Sequence, residues 1–164
     1  MLFSTLVKKI RTFDKKADLA MLKESYEFAK KAHEGQKRAS GESFIQHPLQ
    51  VAYILAEHKL DVTSLIAAIL HDTVEDTEIT LDEIKSRFGK DVALLVEGLT
   101  KISKIKEISH EDYHSETIRK VMLASAKDIR VILIKLADRL HNMRTIGAFR
   151  EDKKRRIAKD ALQI

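Results

Sequence analysis

The chain has 164 residues, enough for one domain with a substantial core and too few for two domains to be expected. It contains no cysteine, which excludes disulfides and thiolate metal sites. The sequence has no apolar run near the roughly 20 residues of a membrane span, and its amino end has no signal-peptide pattern. Its net charge of +5 favours an anionic ligand. The basic residues are dispersed among acidic ones, and no aromatic surface for stacking bases is visible, so the ligand could equally be nucleic acid or a polyanionic small molecule.

The composition is typical of helices joined by short turns. Five glycines, one proline and 5% aromatic residues stand against 34% charged residues, whereas a sheet protein would carry more turn signals. We therefore predict an all-α fold, with one helical domain over residues 1–164. The protein is expected to be cytoplasmic and to bind neither a membrane nor, through this domain, nucleic acid.

The amino-terminal third contains two predicted helices and a loop. Apolar residues recur at helical spacing over residues 18–34, which predicts a helix there. Residues 36–43 are basic and hydroxyl-rich without an apolar period, so we expect a surface loop. Pro48 suits the first turn of a helix that runs to about Lys59, and this places His47 at the amino end of that helix.

An apolar segment then leads into the motif His71-Asp72-Thr73-Val74-Glu75-Asp76. If residues 62–76 are mostly helical, Glu75 lies one turn after His71 and Asp76 one turn after Asp72, so two adjacent rows of side chains point into one site. An imidazole and a carboxylate suit a borderline divalent ion such as Mn²⁺, Fe²⁺ or Zn²⁺, and carboxylates one turn further on could hold or deprotonate its water. These side chains are the set expected in a metal-assisted hydrolase.

The next predicted helices follow clear signals. Residues 80–83, Thr-Leu-Asp-Glu, form a capping-box pattern that starts a short helix ending at Gly89. Another helix is expected over residues 90–102. Residues 103–114 are polar with scattered isoleucines, which favours a mobile loop or frayed helix that could close over a ligand.

The carboxyl-terminal part is predicted to contain a buried helix from residue 128 to about 146. On a helical wheel, Asp138, Asn142 and Thr145 form a polar stripe on an otherwise apolar helix. A polar stripe that faces the core needs a ligand or a partner. We expect no ion pair for Asp138 within the helix, because Lys135 and Arg139 point around the wrong side.

Residues 151–164 have an amphipathic, basic helical pattern without a terminating signal. We therefore expect the chain to be a piece of a longer protein.

At these residues the sequence resembles the HD-domain phosphohydrolases, and more closely the hydrolase domain of the RelA/SpoT homologue family, the enzymes of the guanosine tetra- and pentaphosphate alarmones. The resemblance covers nearly the whole chain, and the carboxylates after the His-Asp pair make it far more specific than that pair alone. The matching segments are His33-Glu34-Gly35-Gln36, Ser40-Gly41-Glu42, Phe44-Ile45-Gln46-His47-Pro48, residues 71–77 and residues 135–145.

The resemblance implies a manganese-dependent hydrolase that removes the 3′-pyrophosphate from ppGpp or pppGpp, giving GDP or GTP and pyrophosphate. The implied Mn²⁺ ligands are His47, His71, Asp72 and Asp138. The implied water-activating pair is Glu75 and Asp76. The implied nucleotide-binding residues are Arg38, Ser40, Asn142 and Thr145. Less certain pocket residues are Lys101, Arg119 and Arg144, with His141 as the histidine expected to support a ligand.

Two residues depart from the pattern of many long family members, with Ala39 in place of a basic residue and Thr117 where asparagine is common. The intact Glu75-Asp76 pair favours active hydrolysis. Two alternatives stay open, namely an HD hydrolase of another nucleotide such as NADPH or a dNTP, and a nucleotide-sensing domain that does not cleave. In long relatives a synthetase domain follows, so we expect a carboxyl-terminal synthetase domain in the full-length protein.

Overall fold

A short apolar helix, α4 (Val62–Leu70), lies at the centre of the fold. The computed structural model describes residues 1–38, 40–103 and 128–161. Every residue of α4 from Ser64 onward is buried, because the helix packs between α2 (Leu19–Ala32), α3 (Gln46–Glu57) and α6 (Leu81–Ser103). These helices surround the main apolar core.

The all-α prediction is confirmed. The other helices are α1 (Phe3–Arg11), α5 (Thr73–Asp76), α7 (Arg130–Arg144) and α8 (Glu151–Ala161), with a 3₁₀ turn at Ile146–Ala148. Within the described ranges, the pairing of Lys37 with Ser43 is an isolated bridge outside any strand. None of the described helices combines the length and apolar character needed to cross a membrane.

The predicted start of helix α3 is confirmed, because the helix begins at Gln46 and Pro48 lies in its first turn. The backbone N–H of Gln46 donates to the carbonyl of Ser43, and that of His47 to the carbonyl of Phe44, so the preceding turn continues directly into the helix. His47 therefore lies inside the first turn. The helix predicted over residues 18–34 is confirmed as α2, and the Asp18 side chain caps it.

Residues 62–76 are mostly helical, as expected, with a break in the helical hydrogen bonding at the motif. Helix α4 ends at Leu70 and α5 begins at Thr73, with His71 and Asp72 as the capping residues between them. Side chains replace helical hydrogen bonds here, since His71 Nδ1 lies 2.8 Å from the carbonyl oxygen of Ala68 and Thr73 Oγ1 donates to that of Leu70 at 2.6 Å. The chain thus turns between the two halves of the motif.

Helix α6 bends at Gly89, whose φ of 88° and ψ of 169° are not helical. The two helices predicted on either side of this glycine are confirmed as the two arms of α6. The capping box is also confirmed, since Glu83 N–H donates to Thr80 Oγ1 at 3.3 Å and Thr80 N–H to Glu83 Oε2 at 2.9 Å. Beyond the bend, α6 approaches α7 so closely that a Cβ at Gly98 would lie 2.9 Å from Cγ2 of Val131.

Helix α7 confirms the helix predicted from residue 128, but it is not buried all round. Its inner face includes Lys135 and Asp138, while Leu136 and Leu140 are among the exposed residues of its outer face. The helix predicted over residues 151–164 is confirmed as α8 as far as residue 161. The expected mobility of residues 103–114 and the departures at Ala39 and Thr117 fall almost wholly outside the described ranges.

Candidate metal centre

Three buried side chains from three separate parts of the fold form one cluster. His47 comes from the first turn of α3, His71 from the end of α4 and Asp138 from the inner face of α7. Each offers a ligand atom, and these atoms lie within 4.8 Å of one another. The three residues are at most 4% exposed. Burial of such groups is costly unless a cation or hydrogen bonds compensate it.

His71 presents its Nε2 atom to this cluster. Its Nδ1 atom contacts the Ala68 carbonyl oxygen, which can only accept, so Nδ1 carries a proton. Nε2 lies 2.9 Å from Oδ1 of Asp72, yet within the described part of the chain it has no hydrogen-bond partner of good geometry. Burial disfavours the imidazolium, but the negative charge of Asp72 outweighs it and raises the pKa of His71 to about 9. The site therefore favours a positive charge at this point.

His47 is held from both sides of its ring. Nε2 lies 3.2 Å from Oδ1 of Asp138 and 3.7 Å from Oδ2 of Asp72, while Nδ1 lies 2.8 Å from Nδ1 of His141. Burial lowers the pKa of His47 and lowers that of His141 to about 4. Both rings are therefore neutral near pH 7, so His47 can face the cluster with Nε2 while His141 fixes its orientation.

Asp138 forms an ion pair that the sequence interpretation excluded. Burial alone would raise its pKa, but the hydrogen bond from His47 and the charge of Lys135 hold the pKa well below its usual range. Lys135 Nζ lies 3.3 Å from Oδ2 of Asp138, and both side chains are buried. The exclusion of Lys135 was wrong because residues three positions apart lie on the same face of a helix.

The two further carboxylates of the motif lie on α5, beside the cluster. Glu75 and Asp76 line a cavity of about 430 Å³ together with Asp72, Lys135 and Asp138. Burial raises the pKa of both Glu75 and Asp76. Oε1 of Glu75 is buried and has no hydrogen-bond partner among the residues that the structure describes. This atom is free to accept a proton from a molecule in the cavity.

The residues expected to bind a nucleotide lie at the rim of this site. Arg38 Nη2 donates to Oδ1 of Asn142 at 2.8 Å, and Asn142 Nδ2 donates to Oδ1 of Asp138 at 2.7 Å. Arg38, Ser40 and Thr145 line a second cavity of about 160 Å³ that adjoins His47. The chain therefore brings all four expected residues close to the cluster, although Ser40 is exposed and its hydroxyl contacts Glu42 at 3.3 Å.

Two of the three further candidates from the resemblance do not extend the site. Lys101 is exposed on α6 and pairs with Glu97, and Arg144 is exposed at the end of α7. Arg119 lies outside the described residues. Ser103 and Lys135, by contrast, line the larger cavity without having been anticipated. Only the three-residue spacing of Lys135 and Asp138 could have suggested a contact.

The donor set fits a divalent transition metal. Two imidazole nitrogens and a carboxylate oxygen suit Mn²⁺, Fe²⁺ or Zn²⁺, and Asp72 adds a second carboxylate beside the three clustered ligand atoms. The contacts of His71 Nδ1 and His47 Nδ1 are of the kind that orient histidine ligands in metal sites.

Comparisons with known proteins agree on one family. A family model described as HD domain matches residues 25–164. The chain is 50% identical over 163 residues to the bifunctional (p)ppGpp synthase/hydrolase SpoT of Escherichia coli (strain K12). It is 48% identical over 163 residues to the guanosine-3′,5′-bis(diphosphate) 3′-pyrophosphohydrolase of Vibrio cholerae serotype O1. Both alignments cover 99% of this chain and 23% of the relative, so the chain spans about a quarter of their length.

One solved structure is also similar. It is described as "A metazoan ortholog of SpoT hydrolyzes ppGpp and plays a role in starvation responses", and it matches with a TM-score of 0.70 and 26% sequence identity. The match covers 88% of this chain and 83% of the other. The helical arrangement is therefore shared with a protein of similar extent.

Proposed function

This chain belongs to the HD domain family, and on that premise we propose that it is a guanosine-3′,5′-bis(diphosphate) 3′-pyrophosphohydrolase. Its substrates would be ppGpp and pppGpp, and its products GDP or GTP and pyrophosphate. The observation that carries the proposal is the convergence of His47, His71 and Asp138 beside the free carboxylates of Glu75 and Asp76. Relatives named for this reaction support the choice of substrate.

We propose Mn²⁺ as the metal, held by His47, His71, Asp72 and Asp138. When bound, a divalent ion supplies Lewis-acid charge to a phosphate oxygen and acidifies a water molecule. Two imidazoles and two carboxylates leave positions open in an octahedral shell, which suits Mn²⁺. The same donors accept Zn²⁺ or Fe²⁺, so the metal is a separate question for experiment.

Glu75 and Asp76 would handle the proton of the attacking water. The water oxygen bonds to the phosphorus attached to the ribose 3′-oxygen, and the bond from that phosphorus to the 3′-oxygen breaks. Oε1 of Glu75, which is buried and has no partner in the described ranges, accepts the water proton, while Asp76 orients the water at the mouth of the cavity. The 3′-oxygen ends as a hydroxyl group and pyrophosphate leaves.

Arg38, Ser40, Asn142 and Thr145 would bind the nucleotide. Arg38 supplies a cation at the boundary of the two cavities, and its contact with Asn142 leaves other guanidinium donors for phosphate or base. We further propose that the full-length protein is cytoplasmic and carries a synthetase domain after this one. The Escherichia coli relative, named a bifunctional synthase/hydrolase, supports the presence of a synthetase activity.

The decisive experiment measures pyrophosphate release from ppGpp with and without Mn²⁺, together with the metal content of the same sample. We expect release from ppGpp and pppGpp that stops on chelation and returns with Mn²⁺. Turnover of NADPH or dGTP without turnover of ppGpp would instead favour a hydrolase of another nucleotide.

A double variant separates hydrolysis from sensing. Glu75→Ala combined with Asp76→Ala is expected to bind ppGpp without cleaving it. Equal hydrolysis by this variant and the wild type would overturn the assignment of these two carboxylates. Binding of ppGpp by wild-type protein without any cleavage would favour a sensing domain.

A further inference from the structure

Lys135 carries an ammonium group that is buried in the fold. Its side chain is 8% exposed on the inner face of α7, whereas lysine side chains are almost never fully buried unless they are paired. An unpaired ammonium in such a place would destabilise the protein strongly. The atoms that compensate this charge therefore indicate what the residue does.

Two oxygen atoms hold the ammonium. Nζ lies 3.3 Å from Oδ2 of Asp138, one turn along α7, and donates to Oγ of Ser103, 2.8 Å away at the end of α6. The other oxygen of Asp138, Oδ1, contacts His47 Nε2 and accepts from Asn142 Nδ2. Lys135 thus contacts Oδ2 of Asp138, whereas His47 and Asn142 contact Oδ1.

Ser103 lines the larger cavity together with Lys135 and Glu75. Because Ser103 Oγ accepts from Lys135, its hydroxyl hydrogen remains free to donate to the Glu75 carboxylate. Burial raises the pKa of Glu75, while the charge of Lys135 and the bond from Ser103 act in the opposite direction. Asp138 lines the same cavity.

The geometry points to Lys135 as a positioning residue, whose buried ammonium fixes Asp138 directly and Glu75 through Ser103. This role rests on the proposed function, in which the two carboxylates have the separate tasks of metal binding and proton transfer. Lys135 acts through these neighbours and not on the substrate. A neutral side chain of the same shape leaves both carboxylates less constrained, so turnover falls more than substrate affinity.

The absence of cysteine from the chain permits a test at this position alone. The Lys135→Cys variant is alkylated in denaturant and refolded, and wild-type protein passes through the same steps as a control. Treatment with 2-bromoethylamine restores an ammonium on a side chain of lysine-like length, whereas 1-bromopropane gives a neutral side chain of nearly the same shape. We expect the propylated protein to keep its KM while kcat falls about 10- to 100-fold, and the aminoethylated protein to recover most of kcat.

The route through Ser103 has its own test. Ser103→Ala should lower kcat. In the double variant with Lys135→Met it should lower kcat little further, because both substitutions interrupt the same link from Lys135 to Glu75. In metal-free protein, nitrogen NMR should detect the Lys135 ammonium as a slowly exchanging signal that shifts in Ser103→Ala. Fully additive losses, or an unshifted signal, would overturn this route.

The outcomes distinguish the two proposals. Wild-type protein without Mn²⁺-dependent release of pyrophosphate would overturn the proposed function and, with it, the role of Lys135. Equal kcat values for the propylated and aminoethylated forms of an active enzyme would overturn the role of Lys135 alone.

Discussion

Nδ1 of His47 lies 2.8 Å from Nδ1 of His141, so two imidazole rings from helices distant in sequence share one hydrogen bond. One ring must donate and the other accept, and the neutral form of His141 allows it to accept because burial lowers its pKa to about 4. In the metal-free protein Nε2 of His47 donates to Oδ1 of Asp138, so Nδ1 of His47 accepts from Nδ1 of His141. A metal on Nε2 would require His47 to donate from Nδ1 instead, and a neutral His141 is able to accept that hydrogen bond.

Replacement of His141 should weaken metal binding without removing a ligand. We expect His141→Ala to raise the Kd for Mn²⁺ about 10- to 100-fold, because His47 loses the contact that fixes its ring. Isothermal titration of metal-free protein with Mn²⁺ measures this change. His58→Ala is the matched control, since His58 is exposed at the end of α3, and equal Kd values for the two variants would contradict the prediction.

Metal uptake should release a proton from His71. In metal-free protein burial disfavours its charge, but Asp72 raises the pKa of His71 to about 9, so the ring is protonated at pH 7. Its Nε2 must lose that proton to bind a metal, and the apparent affinity for Mn²⁺ should rise about tenfold per pH unit below pH 9. Titrations in two buffers of different ionisation enthalpy should give about one released proton at pH 7. Unchanged proton release in Asp72→Asn would contradict this account.

Glu75→Gln should separate catalysis from metal binding. Glutamine keeps the shape of the side chain but cannot accept the water proton, so we expect kcat to fall about 10²- to 10⁴-fold. The Kd for Mn²⁺ should hardly change, because Glu75 lies outside the cluster of ligand atoms. Steady-state pyrophosphate release and metal titration give the two numbers, with exposed Glu78 replaced by glutamine as control. A parallel loss of metal affinity would mean that Glu75 is a ligand.

Loss of the Arg38 guanidinium should affect substrate binding. Hydrogen bonds to charged groups contribute about 1.5–3 kcal/mol, so Arg38→Met should raise KM for ppGpp about 10- to 100-fold. Lys101→Met removes an exposed cation that pairs with Glu97 on α6 and is expected to leave KM unchanged. If both variants raise KM equally, the effect reflects overall charge rather than a contact with Arg38.

Gly98→Ala should destabilise the fold although it improves helix propensity. The new Cβ would lie 2.9 Å from Cγ2 of Val131, and overpacking of this kind costs about 1–3 kcal/mol against a propensity gain of about 1 kcal/mol. We expect a net loss of about 1 kcal/mol in the free energy of unfolding, measured with urea. Val131→Ala in the same chain should recover part of that loss by making space. A stabilised single variant would show that α6 moves away freely.

Apolar periodicity, together with Pro48, the capping box and Gly89, predicted most of the helices, whereas no prediction was made for α1. The expectation that residues 62–76 are mostly helical is also met, but spacing did not reveal that the side chains of His71 and Thr73 take over the last carbonyls of α4. Polar side chains that bond to the backbone compete with the helix in a way that apolar spacing does not reveal.

Sequence spacing predicted less of the site than of the fold. The approach of His47 to Asp138 joins residues far apart in the chain, so only the family resemblance suggested it. The contact between His47 and His141 arises from the packing of α3 against α7. The pairing of Lys135 with Asp138 was rejected, although residues three positions apart lie on the same face of a helix. The histidine contacts depend on tertiary packing, which sequence spacing does not show.

Helix α5 is a single turn of four residues attached to the buried end of α4. Thr73 is buried and anchors this turn, whereas Glu75 and Asp76 project toward the cavity and contribute little to the core. Two substitutions in one turn are therefore expected to abolish the proposed reaction and to leave the proposed metal centre, the proposed nucleotide pocket and the free energy of folding almost unchanged. An enzyme built in this way is a short mutational distance from a receptor for its own substrate.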